Sequence, residues 1–293
     1  MATSPSHRFG QIIGDLLEEI MTPLLQNFCD ERGLYLDKKG NRGEARSGKK
    51  VSWIDKYGNT HDLDFVIEKD GSDDVRGRPL AFIEAAWRRY TKHSRNKAQE
   101  IQGAILPVAE KYGWDKPFLG VILAGVFTSG SITQMKSSGF DIALFPYDSI
   151  VKAFLAVGIK ADFDEDTSDV TFKKTVKKIE TLKEVDRAKL KKHLVDSNKE
   201  LLNNFFGRLQ STLDRQIEKV ILIPLYGQQN EFTIVSDAIA FVANYQEVAQ
   251  QGGAFRKFEI IVQYSNNDKI EASFRDKENA INFLQYIEQG INQ

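Results

Sequence analysis

In the stretch Asp62-Leu63-Asp64-Phe65-Val66-Ile67, two carboxylates lead directly into an apolar run that predicts a β-strand. A second short apolar run, Leu80 to Ile83, predicts another strand and leads to Glu84. Residues 85–99 then contain no acidic side chain but hold the cations Arg88, Arg89, Lys92, Arg95 and Lys97. The sequence therefore predicts two strands that carry carboxylates beside a positively charged segment.

The composition is that of an ordinary globular protein, with 41% apolar and 28% charged residues in 293. A chain of this length buries a sizeable core, as one large or two medium domains. The formal net charge is −1, so an argument for nucleic-acid binding has to rest on local clusters of charge. The single cysteine, Cys29, excludes an intrachain disulfide framework and a zinc site built mainly from thiolates, and its helical surroundings indicate a core side chain.

The N-terminal residues lack the apolar stretch of a signal peptide. No run of the sequence approaches the roughly 18 apolar residues that a membrane helix needs. We therefore expect a cytoplasmic protein that does not enter a membrane.

The patterns on both sides of this stretch predict a mixed β-sheet flanked by helices. The apolar residues of the first helix recur at spacings of three and four, and Gly33 fits its end. The predicted elements are a helix at 8–31, a strand at 34–37, a basic loop at 38–50, an antiparallel hairpin of 51–57 with 63–68, a strand at 80–86, a helix at 94–112 with Ser94 as N-cap, strands at 118–128 and 141–147, and helices at 132–138 and 149–157. This order indicates one α/β domain over residues 1–160.

The C-terminal part, residues 161–293, has a different pattern. An acidic stretch at 162–169 predicts a linker, and it lacks the glycine and terminal glutamate of a calcium-binding EF-hand loop. Residues 170–218 predict lysine-rich helices. The remainder predicts strands at 219–226, 231–235, 256–264 and 269–274 and helices at 236–250 and 276–289, which either form a second α+β unit or extend the first sheet.

The carboxylates carry the chemistry that the sequence predicts. Asp64 and Glu84 lie on strands expected to be neighbours, and strand alternation places Asp62 on the same face as Asp64. Mg²⁺ prefers oxygen ligands and keeps several waters, so two or three carboxylates suffice to bind it. The alternative is that these are ordinary strand-end carboxylates. Against it, Glu84 lies between Ile83 and Ala85, where an unpaired carboxylate is costly to bury.

These residues resemble the PD-(D/E)xK nuclease superfamily, and within it the type II restriction endonucleases, over residues 8 to about 147. The matching features are a first helix that carries Glu18, Asp64 at a hairpin, an apolar strand that ends in Glu84, and the helix and strands that follow. The resemblance implies a restriction-endonuclease-like central mixed sheet, Mg²⁺-dependent cleavage of double-stranded DNA, metal ligation by Asp64 and Glu84, and a third ligand from the Ala85 carbonyl.

The sequence departs from the motif of this superfamily at one position. The motif asks for lysine two residues after the acid, where this chain has Ala86. Members of the superfamily move this lysine, and the candidates here are Lys92 and Lys97, with Lys97 on the helix that follows. The alternative for Lys97 is a lysine that contacts a phosphate or only solvent. Glu18 is the candidate for an outer acidic residue, with Glu19 as its rival.

The predicted DNA-binding residues follow the second strand and mix cations with aromatic rings. Cations of this kind neutralise phosphates, although a charge run is often only a solvated face. The basic loop at 38–50 is a second candidate. The DNA-binding candidates of the segment are Arg88, Arg89, Lys92, His93 and Arg95.

We predict a homodimer, since cutting both strands of a palindrome needs two active sites. Residues 161–293 then supply dimer contacts or DNA recognition. Two alternatives stay open: a repair or recombination nuclease of the same fold that recognises DNA structure, and a non-catalytic DNA-binding protein with a degraded motif.

Overall fold

The computed structural model describes residues 4–91, 94–164, 166–225, 227–246 and 254–291. Its strands in the first part of the chain are β1 (Tyr35–Lys38), β2 (Val51–Ile54), β3 (Thr60–Leu63), β4 (Phe65–Lys69), β5 (Arg78–Arg88), β6 (Phe118–Gly125) and β7 (Phe140–Pro146). Five of them form a mixed sheet in the order β1-β4-β5-β6-β7. The pairs β1–β4 and β4–β5 are antiparallel, whereas β5–β6 and β6–β7 are parallel.

The helices of this part are α1 (Pro5–Asp30), α2 (Ser94–Lys111), α3 (Ser129–Ser137), α4 (Tyr147–Leu155), α5 (Asp169–Glu180), α6 (Glu184–Ser197) and α7 (Lys199–Leu213). Helix α1 begins where Ser4 accepts a hydrogen bond from the His7 amide, and it ends before Gly33, whose φ of 64° suits glycine. The predicted α/β architecture, a central mixed sheet flanked by helices, is confirmed.

Strand alternation on β5 decides which side chains face α2. Phe82 and Ala86 lie in the buried cluster that also contains Ala98 and Ile101 of α2. Successive side chains of a strand point to opposite faces, so Glu84 lies on the same face as Phe82 and Ala86. The sheet therefore presents Glu84 on the side that α2 covers.

Some local predictions differ from the structure. The strand predicted at 63–68 does not pair with 51–57 throughout: β2 and β3 form a separate two-stranded sheet, and the chain bends at Asp64 to place β4 in the central sheet. Ser94 is the first residue of α2 rather than its N-cap, and its hydroxyl donates to the Thr91 carbonyl at 2.8 Å. The lysine-rich region is helical, as predicted, and divides into three helices, α5 to α7.

A second unit contains the C-terminal strands. These are β8 (Ile217–Leu225), β9 (Asn230–Phe232), β10 (Lys257–Tyr264) and β11 (Lys269–Phe274), with helices α8 (Val235–Asn244) and α9 (Lys277–Ile291). The strands form an antiparallel sheet in the order β11-β10-β8-β9. Alternate residues of β10, from Phe258 to Tyr264, are buried in a core of their own. Of the two arrangements open from the sequence, the structure has the separate unit.

The boundary between the units lies elsewhere than residue 160. The first unit comprises Met1–Tyr112 and Pro117–Leu209, and the second comprises Gly113–Lys116 and Gln210–Gln293. Residues 161–209 belong to the first unit because their apolar side chains pack within it. Phe172 of α5, for example, lies 4.2 Å from Phe163 and 6.0 Å from Phe9, measured between ring centroids.

Among the described residues, no helix is long and apolar enough to span a membrane.

Candidate active site

Asp64 lies at the bend between β3 and β4, beside the middle of β5. Its Oδ2 accepts a hydrogen bond of 2.7 Å from the Ala85 backbone N–H. Burial raises the pKa of Asp64 to about 6; the Ala85 amide, Lys97 and Lys39 oppose this rise, while the carboxylate of Glu18 adds to it. Asp64 is therefore a carboxylate fixed to the main chain of the next strand, in an environment that opposes its negative charge.

Glu84 lies beside Asp64 and has an oxygen without a hydrogen bond. Its Oε2 is buried and has no hydrogen-bond partner among the residues that the structure describes. Burial raises the pKa of Glu84 to about 8, and the neighbouring charge of Asp64 is the second cause of the rise. A buried acceptor without a donor is costly unless something else binds it. Asp64 and Glu84, which we call the carboxylate pair, thus present oxygens suited to a cation.

Asp62 does not join this pair, and the prediction that it shares a face with Asp64 is wrong. The alternation ends at the bend, so Asp62 stays on the β2–β3 hairpin. There it accepts hydrogen bonds from Lys50 Nζ at 2.5 Å and Ser52 Oγ at 2.8 Å. The hydrogen bond from Lys50 lowers the pKa of Asp62. Asp62 is an exposed hairpin residue with its own partners.

Helix α1 directs its two glutamates to different places. Glu18 raises the pKa of both Asp64 and Glu84, after burial and nearer groups, and its Oε2 lies 3.3 Å from Lys39 Nζ. Glu19 instead forms ion pairs with Arg187 and Lys191 of α6, at 3.8 Å and 3.3 Å. Of the two rivals, the structure places Glu18 near the carboxylate pair.

Lys97 reaches the carboxylate pair from α2. Its charge lowers the pKa of both Asp64 and Glu84 against the larger effect of burial. Its Nζ lies 3.4 Å from Glu100 Oε2, and the same Glu100 oxygen lies 3.6 Å from the Arg88 guanidinium. Ala86, at the motif position for lysine, is buried in the cluster with Ala98 of α2. A lysine at position 86 would have to enter this core. Lys97 supplies the positive charge from α2 instead, outside the core.

Two residues near the pair were missed by reasoning from the sequence. Glu100 lies just beyond the segment without acids, and its position three residues after Lys97 on a helix was a usable signal. Lys39 comes from the loop after β1, and no sequence spacing links it to Glu18 or Asp64. The charge of Glu18 raises the pKa of Lys39, and Asp64 contributes to the rise. Only the fold brings Lys39 to this site.

Three of the five predicted DNA-binding residues lie in the described part of the chain, each in a different setting. Arg88 is half-buried, and its Nε makes no hydrogen bond within the described ranges. The Arg89 guanidinium lies over two rings, 4.1 Å from the centroid of Tyr90 and 4.5 Å from that of Phe172. Arg95 is exposed in the first turn of α2. Lys92 and His93 lie outside the described residues.

The basic loop at 38–50 has only part of its charge available to a ligand. Arg42 forms ion pairs with Glu68 at 2.5 Å and with Asp37 at 2.9 Å, and Arg46 pairs with Asp37 at 3.1 Å. All four side chains are at most 2% exposed. Arg42 and Arg46 therefore fix the loop, and the exposed cations are Lys39, Lys49 and Lys50.

The described part of the chain contains no group of three or more His, Cys, Asp or Glu side chains arranged to hold a metal. The carboxylate pair has two such side chains. In a strand, the N–H and C=O of one residue point to the same side. Because the Ala85 N–H reaches Asp64, the Ala85 carbonyl lies on the edge of β5 that faces Asp64.

Comparisons with known proteins add little. No family model matches the sequence, and no curated protein shows significant similarity to it. A solved crystal structure of a protein of unknown function, AF1548, aligns with 65% of this chain and 99% of that chain, at 12% sequence identity and a TM-score of 0.30. A TM-score this low does not establish a common fold.

Proposed function

We propose that this chain is a Mg²⁺-dependent endonuclease that hydrolyses phosphodiester bonds of double-stranded DNA. The observation that carries the proposal is the carboxylate pair: the charge of Asp64 opposes the ionisation of Glu84, and a Glu84 oxygen has no donor among the described residues. A structural role would pair the free Glu84 oxygen with a donor, as the chain does for the carboxylates of Asp37 and Glu68.

The residues present fit a magnesium ion. Carboxylate and carbonyl oxygens are its preferred protein ligands, and it commonly keeps several waters, so Asp64, Glu84 and the Ala85 carbonyl suffice without a third acid. When bound, such a cation polarises a phosphate oxygen and activates water. Its positive charge would also relieve the repulsion between the two carboxylates.

The cations around the pair have two distinct roles in this proposal. Lys97, on the helix that covers Glu84, places a positive charge where the phosphate develops extra negative charge, and it stands in for the lysine missing at Ala86. Arg88 and Arg95 bind DNA phosphates next to the one that is cleaved, together with Arg89, Lys92 and His93 of the same segment. Glu18 supplies an outer carboxylate that orients Lys39 through their ion pair.

The order of elements supports a restriction-endonuclease-like fold. A helix with Glu18 precedes an antiparallel part of the sheet with Asp64, and parallel strands follow Glu84. We infer the type II class, and with it a homodimer, because two-fold symmetry places one active site on each strand of a palindrome.

The test is incubation of the protein with unmethylated phage DNA in Mg²⁺ and, separately, in EDTA. The proposal predicts discrete fragments in Mg²⁺ alone, and sequencing of their ends gives the site. A smear would favour the structure-specific alternative. Intact DNA in Mg²⁺, Mn²⁺ and Co²⁺ would contradict hydrolysis and favour the binding-only alternative.

Variants of the pair connect the activity to the site. Asp64→Ala and Glu84→Ala should abolish cleavage and leave DNA binding in EDTA intact. Glu19→Ala is the control. It also removes one carboxylate from this unit, but Glu19 forms its ion pairs with α6 and not with the candidate site. Cleavage at the wild-type rate by either pair variant would refute the assignment.

A further inference from the structure

Helix α5 presents one continuous basic face to solvent. Its buried positions are Phe172, Thr175, Val176 and Ile179, which leave the intervening positions exposed. Between residues 170 and 179 there is no acidic side chain. The exposed lysines, which we call the α5 lysine face, are Lys173, Lys174, Lys177 and Lys178.

The charge of these lysines is not neutralised by an ion pair in the described part of the chain. The acids of α5 stand only at its ends, where Glu180 pairs with Arg8 at 2.8 Å. The four cations, at spacings of one, three and four residues, form a cluster of positive charge on one side of the helix, which follows the acidic stretch at 162–169 in the chain.

Helix α5 packs through its buried side against the segment that follows Glu84. The Arg89 guanidinium lies 4.5 Å from the ring centroid of Phe172, on α5. The Tyr90 hydroxyl donates to the Asp164 carbonyl at 2.6 Å, just before the same helix. The strand that carries Glu84, the Arg88–Tyr90 segment and α5 are thus connected through direct side-chain contacts.

We propose that the α5 lysine face is a second nucleic-acid-binding surface, which holds the phosphate backbone of a DNA duplex beyond the candidate cleavage site. The inference rests on the proposed function for the identity of its ligand, but not on cleavage. Lysines act on phosphates as point charges, so this surface contributes affinity without reading sequence.

An anionic membrane is the other polyanion that lysines attract, and the burial of α5 argues against it. Helices that lie on a membrane insert an apolar face into the lipid. The apolar face of α5 is already buried, with Phe172 in the cluster of Phe9 and Phe163. The solvent-facing side of the helix therefore offers mainly charge, with Val170 as its one large exposed apolar side chain among the described residues, as contact with a phosphate backbone requires.

The experiment measures duplex binding in EDTA by the full chain carrying Glu84→Gln, as a function of salt. The test variant adds Lys173→Gln, Lys174→Gln, Lys177→Gln and Lys178→Gln, since glutamine removes charge but keeps helix propensity. The matched control makes the same change at four exposed lysines on other elements: Lys136, Lys152, Lys199 and Lys269. Circular dichroism and melting confirm that both variants fold.

The affinity of the test variant should fall about tenfold or more at roughly 100 mM salt, and the slope of log K against log salt should shrink by about 0.9 for each phosphate that the protein no longer neutralises. The control should change both quantities far less. If the affinity fell equally in the two variants, or did not fall in the test variant, this inference would be wrong and the proposed function would be unaffected.

Three further outcomes separate the failure of this inference from the failure of the proposed function. Failure of the parent to bind any duplex would overturn both. Loss of sedimentation with phosphatidylserine vesicles in the test variant, with duplex binding unchanged, would overturn the inference in favour of a membrane surface. Absence of cleavage by the wild-type chain, with salt-dependent binding through α5 retained, would refute only the nuclease.

Discussion

At the scale of single residues, the candidate site depends on two neighbouring carboxylates that burial keeps from ionising freely. Burial and the neighbouring acid raise the pKa of Glu84 to about 8, well above its usual range. In the unfolded chain the same group has its ordinary pKa of about 4.3. The difference between the two states makes folding stability depend on pH.

The metal-free protein should lose stability as pH rises from about 5 to about 8. In that window the folded state holds the Glu84 proton while the unfolded state releases it. The contribution of Glu84 to the free energy of unfolding is therefore complete below the pKa of the unfolded state, and it is lost as pH rises to the pKa of the folded state. Glu84→Gln has no such proton and should be more stable than wild type at pH 9, by roughly 2–4 kcal/mol.

Urea unfolding in EDTA at pH 5 and pH 9 measures this difference. Lys136→Gln, at an exposed position of α3, controls for the loss of one charge. Parallel pH profiles for wild type and Glu84→Gln would contradict the perturbed site.

The sequence allowed this pair to be predicted, but not its surroundings. Glu84 follows a short apolar run and Asp64 precedes another, so strand adjacency sufficed to bring them together. Asp62 was misplaced because the bend at Asp64 breaks the alternation. Lys39 was missed because its approach to Glu18 depends on a loop whose path no local pattern encodes.

At the scale of elements, a buried ionic network fixes the loop between β1 and β2. Arg42 also donates hydrogen bonds to the carbonyls of Ser72 and Val75, at 3.0 Å and 2.9 Å. The Glu68 carboxylate in turn accepts from the Gly77 amide at 2.6 Å. The network connects β1, β4 and two loops, and it holds the loop that carries Lys39 towards the site.

Arg42→Ala should destabilise the protein by about 3–5 kcal/mol, because it leaves the Glu68 and Asp37 carboxylates buried without this partner. Lys50→Ala removes an exposed pair of the same region, with side chains 76% and 45% exposed, and should cost at most about 1 kcal/mol. Urea unfolding compares the two variants. A similar small loss in both would show that the network contributes little.

Elements themselves were the most predictable level. The first helix, the strand with Glu84, the helix after it and the parallel strands agree with the structure to within a few residues. Long periodic or apolar runs carry these assignments. The hairpin was predicted less well. The strand predicted at 63–68 joins the end of β3 to β4, whereas the bend at Asp64 places these two strands in different sheets.

At the scale of the whole molecule, the chain builds its second unit from two separated segments. Residues 113–116, between α2 and β6, belong to the unit that contains β8 to β11. Trp114 packs against Phe283 at 5.2 Å and Tyr286 at 5.5 Å, and Tyr286 donates to Asp115 at 2.5 Å. No pattern in the sequence assigns four residues to a distant unit, which is why the domain boundary could not be predicted.

Trp114→Ala should therefore lower the free energy of unfolding of the second unit, by about 2–3 kcal/mol. The loss is smaller than for a fully buried tryptophan because the ring is partly exposed. Amide hydrogen exchange of β10 and β11 should accelerate accordingly. Trp114→Phe, which keeps an aromatic ring, should restore most of the protection. Unchanged exchange in Trp114→Ala would contradict the assignment of this segment to the second unit.

The most direct measurement is calorimetric titration of the protein with Mn²⁺, without DNA, because it tests the carboxylate pair apart from catalysis. We expect that wild type and Glu19→Gln bind the ion, and that Asp64→Asn and Glu84→Gln each weaken binding at least about tenfold, because each removes a charged oxygen ligand. Equal Mn²⁺ affinity in wild type and both pair variants would contradict the claim that Asp64 and Glu84 hold the metal.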